Sequence, residues 1–172
     1  MTLANETMNI REELIARMRS VFGDDSRRVE HALSVLRYAE AIGADSPDAC
    51  DQVVIAAAIL HDIGIHAAER THGSPAGRYQ EIEGPPIARE ILEAMDFDAA
   101  RIDHVCRIVA NHHSARDIDT LEFRIIWDAD WLVNIPDECD TSDVQSTSEL
   151  IDKVFKTLKG RTIAKELFLR KD

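Results

Sequence analysis

Apolar residues recur along most of this chain at the spacing of helices, and no stretch shows the strict alternation that predicts a strand. The most apolar stretch is residues 53–60, where every position is apolar, and His61, Asp62, Ile63 and Gly64 follow it. A run that is hydrophobic on every side predicts a central buried helix, with Gly64 as its C-terminal stop. The sequence therefore predicts a helical core with a histidine and a carboxylate at the end of its central helix.

The segments on either side predict further helices, so we expect an all-α protein of about seven helices. Residues 1–11 have the composition of a polar lead-in, and residues 65–84, with a Ser-Pro pair between two glycines, predict either a long surface loop or short broken helices. Asp25 or Ser26 is expected to cap the second helix, and Gly160 to interrupt the last ones. The predicted helices cover residues 12–22, 27–42, 53–64, 85–95, 99–113 and 120–136, with C-terminal helices over 146–172.

Length and composition indicate one domain over residues 1–172, with an ordinary apolar content of 45%. The formal net charge is −12. Binding to a nucleic-acid backbone needs clustered Lys and Arg, so general nucleic-acid binding is not expected. A small phosphorylated substrate stays compatible with this charge because a metal ion can supply positive charge locally. Composition does not determine the oligomeric state, so a homo-oligomer stays open.

The cysteines and the apolar runs bear on the cellular compartment. Cys50, Cys106 and Cys139 are far apart and form no CxxC pair, so they predict neither a zinc ribbon nor a disulfide framework. No N-terminal stretch has the apolar core of a signal peptide, and the longest apolar run is well short of the roughly 20 residues that cross a bilayer. We therefore expect a cytoplasmic protein without membrane association.

Two further residues on apolar helices carry metal-ligating groups. His31 lies beside the apolar stripe of the helix over 27–42, where a satisfied core histidine is the simpler alternative. The helix over 120–136 carries Asp128 and Asp130. Asp130 falls on the apolar side of the helical wheel, whereas Asp128 lies near Arg124 and is able to pair with it at i, i+4. Asp130 is therefore the carboxylate that we expect to need an ion.

A divalent metal would satisfy the groups so identified. Neutral imidazole and ionised carboxylate are both ligands, and the ion offsets the cost of burying the carboxylate. Two imidazoles with two carboxylates form a mixed N/O set that suits Mn, Fe, Ni, Co or Zn and leaves positions for water. Mg is a further candidate, and the number of ions is one or two. A capped helix end with a surface His-Asp pair is the alternative for the dipeptide alone.

The order of these residues resembles that of the HD superfamily of metal-dependent phosphohydrolases, an all-helical fold. The family order H … HD … D falls on His31, His61-Asp62 and Asp130. Family members commonly have A-D-x-L around the last aspartate, and residues 129–132 match it. The resemblance implies an HD-domain helical bundle with a metal-site core over about residues 25–134. It is specific for the family and says little about the substrate.

Some HD proteins hold two metals and have additional histidines between the HD pair and the last aspartate. Glu83 stands where such members often have a histidine, and His112-His113 matches their paired histidines. Glu83 and His112 are therefore further candidate ligands. Adjacent residues of a helix point about 100° apart, so we expect only one of the two histidines to enter the site. The HD-GYP branch is not expected, because SARDIDT follows His113.

The resemblance implies hydrolysis of a phosphoester, either of a nucleotide or of another small phosphorylated metabolite, by a metal-activated water. Asp62 would orient that water, and whichever of His112 and His113 does not bind metal would be the general acid. Two alternatives stay open: a di-iron oxygenase of the same fold, and a non-catalytic metal-binding or regulatory module. Several basic or imidazole side chains are candidate substrate contacts or ordinary surface residues: Arg28, His66, His72, Arg78 and Arg107.

Overall fold

The computed structural model describes the backbone of residues 3–169 and the side chains of residues 7–169. Within that range the regular elements are all helices, which confirms the all-α prediction. They number nine rather than about seven. In chain order they are α1 (Leu3–Phe22), α2 (Ser26–Gly43), α3 (Asp51–Leu60), α4 (Ile65–His72), α5 (Gly77–Glu93), α6 (Ala99–Val109), α7 (Leu121–Glu138), α8 (Val144–Val154) and α9 (Leu158–Phe168).

Helix α3 is the centre of the fold. All eight residues from Val53 to Leu60 are buried, as a helix that is hydrophobic on every side requires. It packs against α1, α2, α6 and α7, while α2 also lies along α7 and α5 along α6. The end of α3 therefore lies where several helices meet, and the residues that follow it enter the interior of the bundle.

Helices α3 and α4 follow one another almost without a break. By length and composition alone, Asp51–His72 is the one segment of the described chain that meets the criteria for crossing a membrane. However, 83% of its most apolar window is buried inside the protein. Such burial is what the central helix of a globular bundle shows, so the segment is explained by the core.

The structure corrects the role predicted for Gly64. Helix α3 ends at Leu60, and Gly64 precedes α4 with an ordinary φ of −79°. A Cβ on Gly64 would lie 2.5 Å from the backbone nitrogen of Gly84 on α5. Gly64 is therefore needed because two backbones approach closely, and this contact holds α5 against the turn that carries His61 and Asp62.

Of the two interpretations of residues 65–84, the surface loop is wrong. The short broken helices are confirmed in part, because the segment forms the short helix α4 and, after a break, the first half of the longer helix α5. The prolines expected to open a helix, Pro85 and Pro86, lie inside α5. The buried stripe of α5 begins with Gln80 and Gly84, a polar residue and a residue without a side chain. A search for apolar periodicity does not detect such a stripe, which explains the error.

The predicted boundaries also change at the two ends of the chain. Helix α1 begins at Leu3, so most of the expected polar lead-in is helical. The C-terminal break falls between α8 and α9, not at Gly160, which lies inside α9. A Cβ on Gly160 would lie 2.5 Å from Oδ2 of Asp128, so this glycine allows α9 to pack closely on α7. The last predicted residues, 170–172, lie outside the described part of the chain.

Candidate metal centre

Side chains from three helical segments converge beside the end of α3. His31 comes from α2, His61 and Asp62 from the turn after α3, and Asp130 from α7. Nε2 of His31 lies 3.1 Å from Nε2 of His61 and 3.1 Å from Oδ1 of Asp130. Oδ2 of Asp62 lies 3.6 Å from Nε2 of His31 and 3.7 Å from Nε2 of His61. The ligand atoms of His31, His61 and Asp62 all lie within 4.8 Å of one another, and Asp130 joins this group through its contacts with the two histidines.

The backbone determines which nitrogen of His61 faces this point. Nδ1 of His61 is 2.8 Å from the carbonyl oxygen of Ala58, and because a carbonyl only accepts, Nδ1 carries the proton. Burial lowers the pKa of His61, so the ring is neutral and Nε2 presents a lone pair. A lone pair and two carboxylates directed at one another repel unless positive charge lies between them, either from a metal ion or from a proton on His31. The donor set therefore fits a divalent metal. Metal-bound histidines usually donate their other ring N–H to a protein acceptor, as Nδ1 of His61 does to the carbonyl of Ala58.

His112 and His113 lie on the other side of Asp62. Nδ1 of His112 donates to the carbonyl of Val109 at 2.7 Å, and its Nε2 lies 3.3 Å from Oδ1 of Asp62. The ligand atoms of Asp62, His112 and His113 all lie within 4.8 Å of one another. The expectation that only one histidine enters the site is wrong, because α6 ends at Val109 and the pair lies in a turn.

The charges of the cluster determine its protonation. Burial alone would raise the pKa values of Asp62 and Asp130, but contacts with the histidines outweigh it and lower both. Burial alone would lower the pKa values of His31 and His112. The hydrogen bond of His31 to Asp130 and that of His112 to Asp62, together with the negative charges of both aspartates, outweigh burial and raise both values. In the absence of a cation, the two carboxylates therefore favour the protonated forms of His31 and His112.

His113 behaves differently from His112. Burial, and then the positive charge of His112, lower the pKa of His113 to about 4. Its ring is neutral at neutral pH, so it is suited to accept a proton or to donate a lone pair. A Cβ on Gly77 would lie 2.6 Å from this ring. The His113 ring therefore fits here because Gly77, at the start of α5, has no side chain.

The two aspartates of α7 have separate environments. Asp130 joins the cluster, and the amide of Asn134 donates to its Oδ1 at 2.9 Å. The expected pair of Asp128 with Arg124 does not form, since Arg124 pairs with Asp119. Asp128 is fully buried instead, and it accepts hydrogen bonds from residues 156 and 157 ahead of α9. The helical wheel places Asp130 on the apolar side of α7, but Asp128 is the more buried of the two carboxylates in the structure. Asp130 is therefore a candidate ligand because of its contacts with the histidines, not because it is more buried.

The structure does not bring Glu83 into either group of candidate ligands. Its carboxylate lies 2.9 Å from Nε2 of His72, whose ring stacks on Tyr79. The neighbouring Glu81, which sequence reasoning missed, supports the site from α5. Its Oε1 accepts the backbone N–H groups of His113 and Ser114 at 3.1 and 2.8 Å, and its side chain is 8% exposed. Glu81 thus fixes the turn that carries the paired histidines.

The cluster opens into a cleft of about 450 Å³. Arg27 and Arg28 of α2 line this cleft, together with His31, Asp62 and Asp130 of the cluster. Within the described residues neither arginine has a carboxylate within 4 Å, although the chain is strongly acidic. The other candidate contacts have their own partners. His66 binds Asp25, His72 binds Glu83, Arg78 stacks on Tyr79, and Arg107 donates to the carbonyl of Asp117.

Comparison with known proteins agrees with this geometry. The family model of the HD domain matches residues 28–135, and the chain belongs to the HD-domain family. None of the curated proteins matches the chain. The fold is similar to the 1.45 Å crystal structure of a predicted HD superfamily hydrolase from an uncultured Thermotogales bacterium, with a TM-score of 0.67 and 25% identity. The similarity covers 90% of this chain and 83% of that one.

Proposed function

We propose that this protein is a metal-dependent phosphohydrolase that cleaves a phosphoester of a nucleotide or of another small phosphorylated metabolite. The observation that carries the proposal is the convergence of His31, His61, Asp62 and Asp130, with a bare Nε2 of His61 directed at two carboxylates. When bound there, a divalent cation supplies Lewis acidity, which acidifies water and polarises a phosphoryl oxygen. Its identity among Mn, Fe, Ni, Co, Zn and Mg is left to experiment.

Asp62 is the central group of the proposed site. Its Oδ2 faces His31 and His61, whereas its Oδ1 faces His112. One carboxylate therefore belongs to both groups of candidate ligands, and the arrangement is compatible with one ion or with two. In the two-ion case His112 and His113 complete the second group, whereas Glu83 does not contribute.

The chain's own residues provide proton transfer and substrate binding. His113 lines the cleft and is neutral at neutral pH, so we assign it the acceptance of a proton there. The raised pKa of His112 makes it the histidine that holds a proton, as a general acid requires. Arg27 and Arg28 have no carboxylate partner among the described residues and are placed to bind phosphoryl oxygens.

The test is elemental analysis of the purified protein, followed by a phosphoester screen in the presence of Mn, Ni, Co, Zn, Fe and Mg. We expect hydrolysis that depends on metal and that is lost, together with the metal, in Asp62→Ala. Glu83→Ala is the matched control, because this carboxylate lies outside the cluster. Hydrolysis that survives in Asp62→Ala would disprove the mechanism.

The same screen separates the two alternatives. Iron in the purified protein together with an O₂-dependent reaction would favour a di-iron oxygenase. Metal binding without cleavage of any phosphoester would favour a regulatory module. A cytoplasmic location, a small-molecule partner and the absence of general nucleic-acid or membrane binding stay predictions from the sequence.

A further inference from the structure

One face of α7 continues beyond the metal cluster as the wall of a second cleft. Trp127, Trp131, Asn134 and Glu138 follow one another at spacings of four, three and four residues, so they share a side of the helix. With His112, His113 and Asp130 they line a space of about 220 Å³. Asp130, His113, Asn134 and Glu138 also line the main cleft, so the two spaces adjoin at the candidate metal ligand.

The two tryptophans of this wall differ in their contacts. Nε1 of Trp127 donates to the carbonyl of Val154 at 3.0 Å, and Nζ of Lys156 lies 4.9 Å from its ring. Trp127 is thus fixed to the end of α8 and to the loop that follows it. Trp131 is half-buried, and its indole N–H has no hydrogen-bond partner in the part of the chain that the structure describes. Trp131 is the aromatic surface of this cleft that is left for a ligand.

The polar groups beside Trp131 are acceptors. Asn134 uses its amide N–H on Asp130, which leaves its carbonyl oxygen for another donor. Glu138 is exposed and has no cation within 4 Å among residues 7–169. The arginines that we assign to the phosphoryl group line the main cleft, whereas Trp131 lines only the smaller one. A ligand in the smaller cleft therefore meets a flat ring, an amide oxygen and a carboxylate.

We infer that Trp131, Asn134 and Glu138 form the subsite for the leaving group of the substrate, and that this subsite takes a flat, uncharged ring system with hydrogen-bond donors. The inference rests on the proposed phosphohydrolase function for the placement of the phosphoryl group. Stacking of a ring on Trp131 supplies affinity, and the two acceptors select ring substituents that donate. The Glu138 carboxylate repels a second phosphate, so the site prefers a monophosphate over the corresponding diphosphate.

Binding without turnover is the first test, because it does not require the proposed function to be correct. Trp127→Phe leaves Trp131 as the one tryptophan of the chain, so its emission reports directly on the subsite. We expect adenosine to quench this emission and ribose to leave it unchanged. By calorimetry, Trp131→Leu should raise the Kd of adenosine about tenfold, the loss expected for one ring stack.

Turnover of matched substrates is the second test. Trp131→Leu should lower about tenfold the ratio of kcat/KM for AMP to that for ribose 5-phosphate, mainly through the KM for AMP. Tyr38→Leu removes an aromatic ring of α2 that lines neither cleft, and it should leave this ratio unchanged. Glu138→Gln should raise kcat/KM for ADP relative to AMP, because it removes the repelling charge.

The outcomes separate this inference from the proposed function. If no phosphoester is cleaved but adenosine quenches Trp131 and loses affinity in Trp131→Leu, the proposed function fails and the ring subsite stands. If phosphoesters are cleaved but adenosine neither binds nor quenches, and the AMP ratio is unchanged in Trp131→Leu, the subsite is overturned and the function stands. If ADP is cleaved as well as AMP in the unmodified protein, the role of Glu138 is overturned.

Discussion

Asp128 and Asp130 are two residues apart on α7, and their carboxylates lie in unrelated environments. Asp130 faces His31 at 3.1 Å, whereas Asp128 accepts the backbone N–H groups of Lys156 and Thr157 at 2.7 Å each. The hydroxyl of Thr157 adds a third hydrogen bond at 2.7 Å. One turn of helix thus holds a candidate ligand and an anchor for the C-terminal helix.

This difference predicts different phenotypes for substitutions of the two aspartates. Asp128→Ala leaves three partly buried hydrogen bonds without their acceptor, so we expect the free energy of unfolding to fall by about 2–4 kcal/mol with metal still bound. Asp130→Ala should abolish metal retention with a smaller loss of stability. Denaturant unfolding and elemental analysis of both variants measure the two effects. If the Asp128→Ala variant folds but no longer retains metal, the assignment of Asp130 rather than Asp128 as the ligand is contradicted.

Glu81 provides a prediction about positioning. Because its carboxylate holds the backbone of the turn that carries His112 and His113, Glu81→Ala should lower kcat about tenfold, the typical cost of losing a supporting contact at a metal site. Glu83→Ala is the matched control from the same helix, and it should affect kcat little. Equal losses in the two variants would show that the turn does not depend on Glu81.

Metal binding should depend on pH in a defined direction. The contacts of His31 with Asp130 and Asp62 raise its pKa in the folded protein, so a cation bound by His31 competes with a proton. His61 is already neutral because burial lowers its pKa, and it releases none. The apparent affinity should therefore fall as the pH decreases through the raised pKa of His31. Calorimetry in buffers of different ionisation enthalpy counts the protons, and an affinity that is constant from about pH 6 to 9 would refute this account.

Gly64 gives a prediction about stability. A Cβ at Gly64 meets the backbone of Gly84 at 2.5 Å, so Gly64→Ala should cost about 3 kcal/mol through displacement of α5. Gly43 has nothing within 4 Å and lies in a helix, so Gly43→Ala should raise stability by roughly 0.5–1 kcal/mol. Thermal unfolding compares the two. A neutral Gly64→Ala would show that the close approach of α5 is not required.

The central helix could be predicted from the sequence, whereas the helical segment around Gln80 could not. The central helix could be predicted because residues 53–60 are apolar without exception, and the H … HD … D order could be matched to a family. The helical segment around Gln80 could not, since its buried face contains a polar residue and a glycine. Periodicity detects apolar stripes only, and a helix that packs through its backbone leaves none.

The candidate site shows the same division. His31 and Asp130 could be selected because each interrupts an apolar helix, and a buried polar group needs a partner. Glu81 gave no such signal, because it acts on the backbone of a turn that lies far away in the sequence. Asn134 stands four residues after Asp130, a spacing that places both on one face of α7 and that was available from the sequence alone.

The central claim is that His31, His61, Asp62 and Asp130 hold one cation between them. An anomalous difference map from crystals of the Mn-loaded protein measures this directly. We expect a peak about 2.0–2.3 Å from Nε2 of both histidines and from an oxygen of each aspartate. A protein that carries Mn in solution but shows no peak among these four side chains would contradict the claim.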